Sequence, residues 1–226
     1  LPESMDYVSG SIFPLNYGTS IHAFKQRAKL QAKETVLIMG AAGGLGITAI
    51  HVAKALGATV IAAASSQEKL DLCKAQGADE LILYSRDNMD KESQKEFSDQ
   101  IKALTNKQGV DVVFDPVGGA YSEPALRAMA WKGRYLVIGF TSSIPSIPLN
   151  LALLKGCQIV GVFWGNFCVK EPLVNAANFK DLFDMFEEGK IKPFVVETYP
   201  LEKTGYAIQL LAKREAIGKI AIKVRD

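Results

Sequence analysis

Short apolar runs alternate with longer amphipathic stretches through the middle of the chain. Each run has four to six residues, the length of a strand, and most are apolar at consecutive positions. Strands that are apolar on both faces lie inside a parallel sheet whose two sides are covered by the intervening helices. The pattern therefore predicts an α/β fold, a Rossmann-type doubly wound parallel sheet with helices on both faces. The predicted strands are Val36–Met39, Thr59–Ala64, Glu80–Tyr84, Val110–Asp115, Arg134–Ile138 and Gln158–Phe163. The predicted helices between them are Ile47–Leu56, Gln67–Gln76, Glu92–Leu104 and Glu123–Met129.

A glycine-rich turn joins the first predicted strand to the first predicted helix. Residues 40–46 of this turn are Gly-Ala-Ala-Gly-Gly-Leu-Gly. Because Gly43, Gly44 and Gly46 have no side chains, an anion can approach the backbone N–H groups at the helix start, where the helix dipole also favours it. Helix caps and tight turns use the same residues, but a strand before and a helix after are the context of a dinucleotide-binding βαβ unit. We expect this turn to hold a diphosphate.

The end of the second predicted strand favours NADP(H) over NAD. A site for NAD usually has an acidic residue there, which binds the ribose 2′-hydroxyl. This chain has Ser65 and Ser66 instead, followed by Lys69, and these residues suit a 2′-phosphate because one cation can pair with it. The alternative is that a serine caps the helix Gln67–Gln76 and that Lys69 is a solvated helix residue. The two interpretations are compatible, since a capped helix start also attracts anions.

Two further turns follow predicted strands, in the region where ligands of open α/β sheets bind. Asp115, Val117 and Gly118 belong to the turn after the fourth strand, and Gly139 and Phe140 to the turn after the fifth. Glycine at these positions permits a ribose or a nicotinamide ring to approach the backbone. Alternatively, the glycines only form tight turns, and the aspartate caps the segment that follows it.

Three residues after the sixth predicted strand, Phe163, Trp164 and Gly165, have two interpretations. One places them in the wall of a nicotinamide site. The other, equally good, places the aromatic rings in the core or in an interface.

Composition limits the remaining possibilities. The 226 residues, 48% of them hydrophobic, suffice for one large domain or for one domain and part of another. A net charge of +2 gives no reason to expect a nucleic-acid partner, and no apolar run has the length of a membrane span. Cys73, Cys157 and Cys168 lack the spacing of a metal site and are expected to be free thiols of a reducing compartment. We therefore expect a cytoplasmic protein without a metal site.

The motifs described so far occur in the same order in a known family. The chain resembles the zinc-independent quinone oxidoreductase (zeta-crystallin-like) branch of the medium-chain dehydrogenase/reductase superfamily over nearly its whole length. One departure is Ala41, where many dinucleotide sites have their first glycine, although this branch commonly has Ala-Ala-Gly-Gly there. The matching segments are Tyr17–Thr19, Glu34–Gly46, Ala53–Ala58, Gly118–Gly119, Gly133–Arg134, Val137–Phe140 and Gly218–Ile220.

The resemblance implies a role in binding NADP(H) for several of these residues. Thr19 is expected to approach the nicotinamide carboxamide. The residues expected along the diphosphate are Gly43, Gly44, Leu45, Gly46 and Ile47. Those expected around the 2′-phosphate are Lys69, Tyr84 and Arg214, although Arg214 also fits a basic, solvated helix end. Those expected to flank the ribose and nicotinamide are Gly139, Phe140, Phe163, Trp164 and Gly165.

The resemblance also implies a division into parts. Full-length relatives carry roughly a hundred or more residues ahead of this region, the size of one domain, in a GroES-like catalytic domain. Residues 1–30 would then be a linker and first helix from that missing domain, residues 31–170 the NADP-binding Rossmann domain, and residues 171–226 a C-terminal strand-helix-strand remnant with further helices that would complete the catalytic domain. We expect a chain truncated at its N-terminus. Its tail strands, Phe194–Tyr199 and Lys219–Val224, are expected to lack partners or to pair only with each other.

The family forms dimers by pairing the last strand of this domain with its two-fold mate. In this chain that strand is Gln158–Phe163, and burial in a homodimer would protect an apolar edge from aggregation.

The implied function is that of the NADPH-binding portion of an enzyme that transfers a hydride from NADPH to a quinone or an α,β-unsaturated carbonyl. No catalytic residue can be assigned, because Tyr17 is near the nicotinamide by motif position but is better interpreted as a packed aromatic residue. Without the catalytic domain, enzymatic activity of this chain stays open, and an inactive NADPH-binding or dimerisation module is the alternative. A short-chain reductase is disfavoured, because its Tyr-x-x-x-Lys pair must lie on a helix. Here only Tyr199 and Lys203 have that spacing, and Pro200 lies between them.

Overall fold

The main sheet confirms the predicted doubly wound plan. The computed structural model describes residues 1–85, 90–213 and 216–225. The strands of the main sheet are β1 (Thr35–Ile38), β2 (Thr59–Ala64), β3 (Glu80–Leu83), β4 (Val110–Asp115), β5 (Met129–Val137) and β6 (Gln158–Gly161). They are all parallel and lie in the order β3-β2-β1-β4-β5-β6. Successive strands are therefore added on one side of β1 up to β3 and on its other side from β4 onward. The crevice between the carboxyl ends of β1 and β4 is where open sheets of this type bind ligands.

Helices cover both faces of the sheet. The described helices are α1 (Tyr7–His22), α2 (Gly44–Ala55), α3 (Gln67–Ala75), α4 (Lys91–Leu104), α5 (Ser122–Arg127), α6 (Asn150–Lys155), α7 (Trp164–Lys170), α8 (Pro172–Glu187) and α9 (Thr204–Ala212). Alternate side chains of β1 point to opposite faces, so Val36 and Ile38 belong to one buried cluster with Phe13 of α1. Leu37 belongs to the other cluster, with Phe97 of α4. None of the described helices is both long and apolar enough to cross a membrane.

Two strand boundaries of the main sheet differ from the prediction by more than one residue. β5 begins at Met129 rather than at Arg134, because Met129 pairs with Val110 before a register shift near Gly133. The helix predicted over Glu123–Met129 is correspondingly shorter. β6 ends at Gly161, so the aromatic residue at position 163 lies beyond the strand and immediately precedes α7.

The C-terminal tail forms a second, two-stranded sheet. Its strands, β7 (Glu197–Pro200) and β8 (Ile220–Lys223), pair in parallel with each other, and α9 lies between them in the chain. The tail also reaches the glycine-rich turn of the main sheet. Gly218 donates its backbone N–H to the Ala42 carbonyl oxygen at 2.8 Å. This contact brings the tail close to the start of α2.

A buried hydrogen-bond chain fixes α1 against α2. The Tyr17 hydroxyl lies 2.8 Å from His51 Nδ1, and His51 Nε2 lies 2.9 Å from Gln76 Oε1. Because Gln76 Oε1 can only accept, Nε2 carries the imidazole proton and Nδ1 accepts from Tyr17. Burial lowers the pKa of His51, which keeps the imidazole neutral at pH 7. The position of α1 over the first turns of α2 therefore depends on Tyr17.

Removing this hydroxyl tests the contact. Tyr17→Phe is expected to lower the free energy of unfolding by about 1–3 kcal/mol, because His51 Nδ1 loses its donor in a buried site. Tyr206→Phe is a matched control, since Tyr206 is 53% exposed, and it is expected to change that free energy by less than about 0.5 kcal/mol. Urea unfolding of both variants measures the difference. Equal effects of the two substitutions would contradict the assigned role of Tyr17.

Candidate nucleotide-binding site

A cavity of about 310 Å³ lies at the carboxyl ends of the strands. Its walls come from the turns after β1, β2, β3, β4 and β5, and the tail contributes Leu211 and Ala216. Six of the residues predicted from the sequence line it together. They are Gly43, Ser65, Lys69, Tyr84, Val117 and Gly118. The cavity therefore lies at the switch point, as the order of the strands requires.

The start of α2 has no side-chain cap. Gly43 is its N-cap residue, with φ −76° and ψ 165°, and no side chain caps this helix end. The first backbone N–H groups of a helix have no partner within the helix, so those of Gly44, Leu45 and Gly46 can bind a ligand. Their arrangement, together with the dipole of a helix of 12 residues, favours a phosphate group.

Glycine is required at position 46 by packing. A Cβ atom there would lie 2.6 Å from Ala41 Cα, which is backbone that cannot move aside. Any residue with a side chain at position 46 would therefore prevent the first turn of α2 from lying this close to the end of β1. Gly40 has φ +59°, a conformation that favours glycine, and it starts the same turn.

The second wall of the cavity carries the residues predicted to select the cofactor. Ser66 Oγ accepts a hydrogen bond from the Lys69 backbone N–H at 3.4 Å, so this serine caps α3. Ser65, Lys69 and Tyr84 line the cavity itself. Among the described residues that line it, none is an aspartate or a glutamate. The serine cap of α3 is thus observed at Ser66, and pairing of Lys69 with a 2′-phosphate stays a prediction.

Asp115 stabilises the third wall of the cavity, which is the turn after β4, without lining the cavity itself. Its carboxylate is buried, and Oδ1 accepts from the backbone N–H groups of Val117 at 2.8 Å and Gly118 at 2.9 Å. Oδ2 accepts from the Ser122 hydroxyl at 3.0 Å and from the Tyr135 hydroxyl. Burial, followed by the nearby carboxylate, raises the pKa of Tyr135, so its hydroxyl stays protonated and donates. Asp115 thus holds the turn after β4 in place, and its predicted contact with a cofactor stays a prediction.

The turns after β4 and β5 are joined to each other. Gly118 has φ +69°, and a side chain there would collide with the Ser143 carbonyl oxygen. The Gly119 backbone N–H donates to that same oxygen at 2.8 Å. Tyr121 and Ser142 also line the cavity, and the sequence analysis did not select them. Their only sequence signal is closeness to glycines that follow predicted strands.

Several predicted residues lie outside the cavity. Gly44, Leu45, Gly46 and Gly139 do not line it, although each lies within three residues of one that does. Thr19 is 8% exposed and donates through Oγ1 to the Leu15 carbonyl oxygen at 2.7 Å. Ile47 is buried beneath the first turn of α2. Phe140 is 46% exposed, and Arg214 lies outside the described residues. Their contacts with a cofactor stay predictions.

The residues after β6 lie against helices rather than in the cavity. Trp164 Nε1 donates to Asn175 Oδ1 at 3.2 Å, and its ring lies so close to Gly18 that a Cβ there would be 2.7 Å from Trp164 Cε2. Phe163 is 75% exposed, and Gly165 follows in α7. Packing against α1 is thus observed for Trp164, and a nicotinamide contact of these residues stays a prediction.

Potential metal ligands do not converge in the part of the chain that the structure describes. No group of three or more His, Cys, Asp or Glu side chains is placed there to hold an ion. The three cysteines are free, and burial raises the pKa of the Cys73 thiol to about 12, which keeps it protonated.

Comparison with known proteins gives consistent matches. Residues 44–188 match the family model described as zinc-binding dehydrogenase. The chain is 35% identical to quinone oxidoreductase-like protein 2 of Bos taurus, over 100% of this chain and 63% of that protein. It is 30% identical to the quinone oxidoreductase of Rattus norvegicus, over 92% of this chain and 59% of that protein. The chain spans about three fifths of the length of these curated relatives.

A solved structure gives the same result. The crystal structures of the quinone oxidoreductase from Thermus thermophilus and its complex with NADPH include a chain that is 29% identical, with a TM-score of 0.85. The similarity covers 99% of this chain and 69% of that one.

The close approach at Gly46 generates a prediction. Gly46→Ala is expected to lower the free energy of unfolding by about 1–3 kcal/mol, because the methyl group overlaps the Ala41 backbone. The displaced helix start should also bind dinucleotides more weakly. Gly161→Ala is the matched control, since a Cβ there meets nothing within 4 Å. Thermal unfolding and cofactor titration of both variants measure the effects. Unchanged stability and affinity in Gly46→Ala would contradict the packing argument.

Proposed function

The chain belongs to the zinc-binding dehydrogenase family, in the quinone oxidoreductase branch of the medium-chain dehydrogenase/reductase superfamily, and we propose that it is the NADPH-binding portion of a quinone or enone reductase. The observation that carries this proposal is the uncapped start of α2 at the edge of the cavity. Its backbone N–H groups have no side-chain cap and suit a diphosphate, and the close packing at Gly46 fixes their position.

The 2′-phosphate of the cofactor is assigned to the second wall. Lys69 supplies a cation and Ser65 a hydroxyl. Tyr84 adds a phenol from the neighbouring strand end, where its backbone N–H donates to the Ala64 carbonyl oxygen at 3.0 Å. Ionised partners make the stronger hydrogen bonds, so Lys69 contributes most to the choice of NADP(H). Arg214 is proposed as a second cation.

The nicotinamide end is assigned to the far side of the α2 start, with Thr19, Gly139 and Phe140 beside it. NADPH supplies a hydride when it is bound, and the proposed acceptors are quinones and α,β-unsaturated carbonyls. This chain's residues bind and orient the dinucleotide through α2 and the turn that Asp115 holds. The proposed division keeps residues 31–170 as the nucleotide-binding domain and assigns residues 171–226 to the catalytic domain.

A homodimer through β6 is part of the proposal. The strand is at the edge of the main sheet, and Ile159 is 39% exposed on it. Arg27 Nε donates to the Gly161 carbonyl oxygen at 2.9 Å, at the end of this strand. An apolar sheet edge of this kind is stabilised by pairing with a second copy.

An inactive NADPH-binding module is the second candidate. In this candidate the site binds the dinucleotide but no acceptor is reduced. Single-turnover mixing of NADPH-loaded protein with a quinone separates the two candidates. The reductase predicts oxidation of the bound NADPH within one turnover, and the inactive module predicts none.

Lys69 provides the test of cofactor choice. Lys69→Ala is expected to weaken NADPH binding by about tenfold or more, because a charge-assisted contact to the 2′-phosphate is lost. NADH has no such phosphate, so its affinity should be nearly unchanged. Isothermal titration with both cofactors measures the two affinities.

Lys74→Ala is the matched control for this experiment. Lys74 lies on the same helix but does not line the cavity, and its Nζ donates to the Asp79 carbonyl oxygen at 2.7 Å. Its removal should leave both affinities near those of the wild type. Equal losses for NADPH and NADH in Lys69→Ala would argue against a 2′-phosphate contact.

A further inference from the structure

One buried side-chain donor beside the α2 start has no partner among the described residues. Asn16 of α1 is 5% exposed, and its Nδ2 makes no hydrogen bond within the described part of the chain. Leaving such a group unpaired destabilises a folded protein, because the group loses its hydrogen bonds to water. Unpaired buried donors are rare in native structures, so this one indicates a hydrogen-bond acceptor that the described residues do not supply.

The unpaired donor faces the start of α2. A Cβ atom on Gly44 would lie 3.2 Å from Asn16 Nδ2, so the amide lies directly against the Gly44 backbone. Gly44 is the first residue of α2, next to the N-cap Gly43 that lines the cavity. The donor thus lies at the same end of α2 as the first backbone N–H groups of the helix.

The position of Asn16 is fixed by its neighbour. Tyr17 is fully buried and bonded to His51 of α2, so α1 cannot rotate Asn16 away without breaking that bond. The C-terminal tail covers another side of Gly44. The same Cβ position on Gly44 would lie 3.0 Å from Lys219 Cδ and 3.5 Å from the Gly218 carbonyl oxygen.

We propose that the Asn16 side-chain amide donates a hydrogen bond to the diphosphate of the bound dinucleotide. This inference rests on the proposed function, because it assigns a further residue to the site where the diphosphate is expected. An amide is a neutral donor, so it can remain buried before the cofactor arrives at a lower cost than a buried lysine. A hydrogen bond to a charged phosphate oxygen is a strong one.

The proposed contact has a distinct selectivity. The diphosphate is common to NADPH and NADH, whereas the 2′-phosphate is not. Asn16 should therefore contribute equally to the affinity of both dinucleotides, in contrast to Lys69. It should contribute nothing to adenosine 2′-monophosphate, which has the 2′-phosphate but no diphosphate.

Asn16→Leu tests the proposal with a substitution of similar size. Removal of an unpaired buried donor should leave the thermal midpoint of the free protein unchanged or raise it. The affinities for NADPH and NADH should both fall by about tenfold or more, with their ratio retained. The affinity for adenosine 2′-monophosphate should stay that of the wild type. Isothermal titration and thermal unfolding measure these quantities.

Ser20→Ala is the control from the same helix. Ser20 is fully buried, but its hydroxyl has a partner in Thr48 Oγ1 at 3.1 Å. This variant should show a lower thermal midpoint and unchanged dinucleotide affinity, the opposite of the result for Asn16→Leu.

Each outcome is decisive. Wild-type affinity for both dinucleotides in Asn16→Leu would overturn the inference alone and leave the proposed function in place. A loss of thermal stability together with a weaker affinity for adenosine 2′-monophosphate would assign Asn16 a structural role and overturn it as well. Failure of the wild type to bind either dinucleotide would overturn the proposed function, and the inference with it.

Discussion

The close approach between the first turn of α2 and the end of β1 is the constraint on which the site depends. A side chain at position 46 would overlap the backbone of Ala41, so glycine alone permits this geometry. Because the helix starts so close to the strand, its first N–H groups lie at the carboxyl edge of the sheet, at the switch point. The other walls of the cavity are arranged around that fixed point.

Buried polar groups hold those walls in place. Asp115 accepts hydrogen bonds from two backbone N–H groups of its own turn and from two hydroxyls, which ties the end of β4 to β5 and α5. Tyr17 and His51 perform the same task between α1 and α2. Since each of these groups is buried and satisfied, displacing a wall would cost unpaired hydrogen-bonding groups. The cavity is thus preorganised for an anionic ligand.

Much of the fold and part of the site could be predicted from the sequence. Apolar runs such as Val110–Asp115 mark strands because both faces are buried, and Ser65, Lys69 and Tyr84 meet because parallel strands end at one edge. The predicted start of β5 was wrong because a register shift does not alter the hydrophobic pattern. Asn16 could not be found, since an unpaired donor is defined only by atoms that lie far away in the chain, such as those of Gly44 and Gly218.

The central claim is that the diphosphate of the cofactor lies on the backbone N–H groups at the start of α2. Nuclear magnetic resonance of the ¹⁵N-labelled protein tests this claim most directly, because it reports on each amide separately. On addition of NADPH, the amide protons of Gly44, Leu45 and Gly46 should shift downfield as they form hydrogen bonds to phosphate oxygens, whereas adenosine 2′-monophosphate should leave them in place. Saturable binding of NADPH that shifts other amides and leaves these three unchanged would contradict the account.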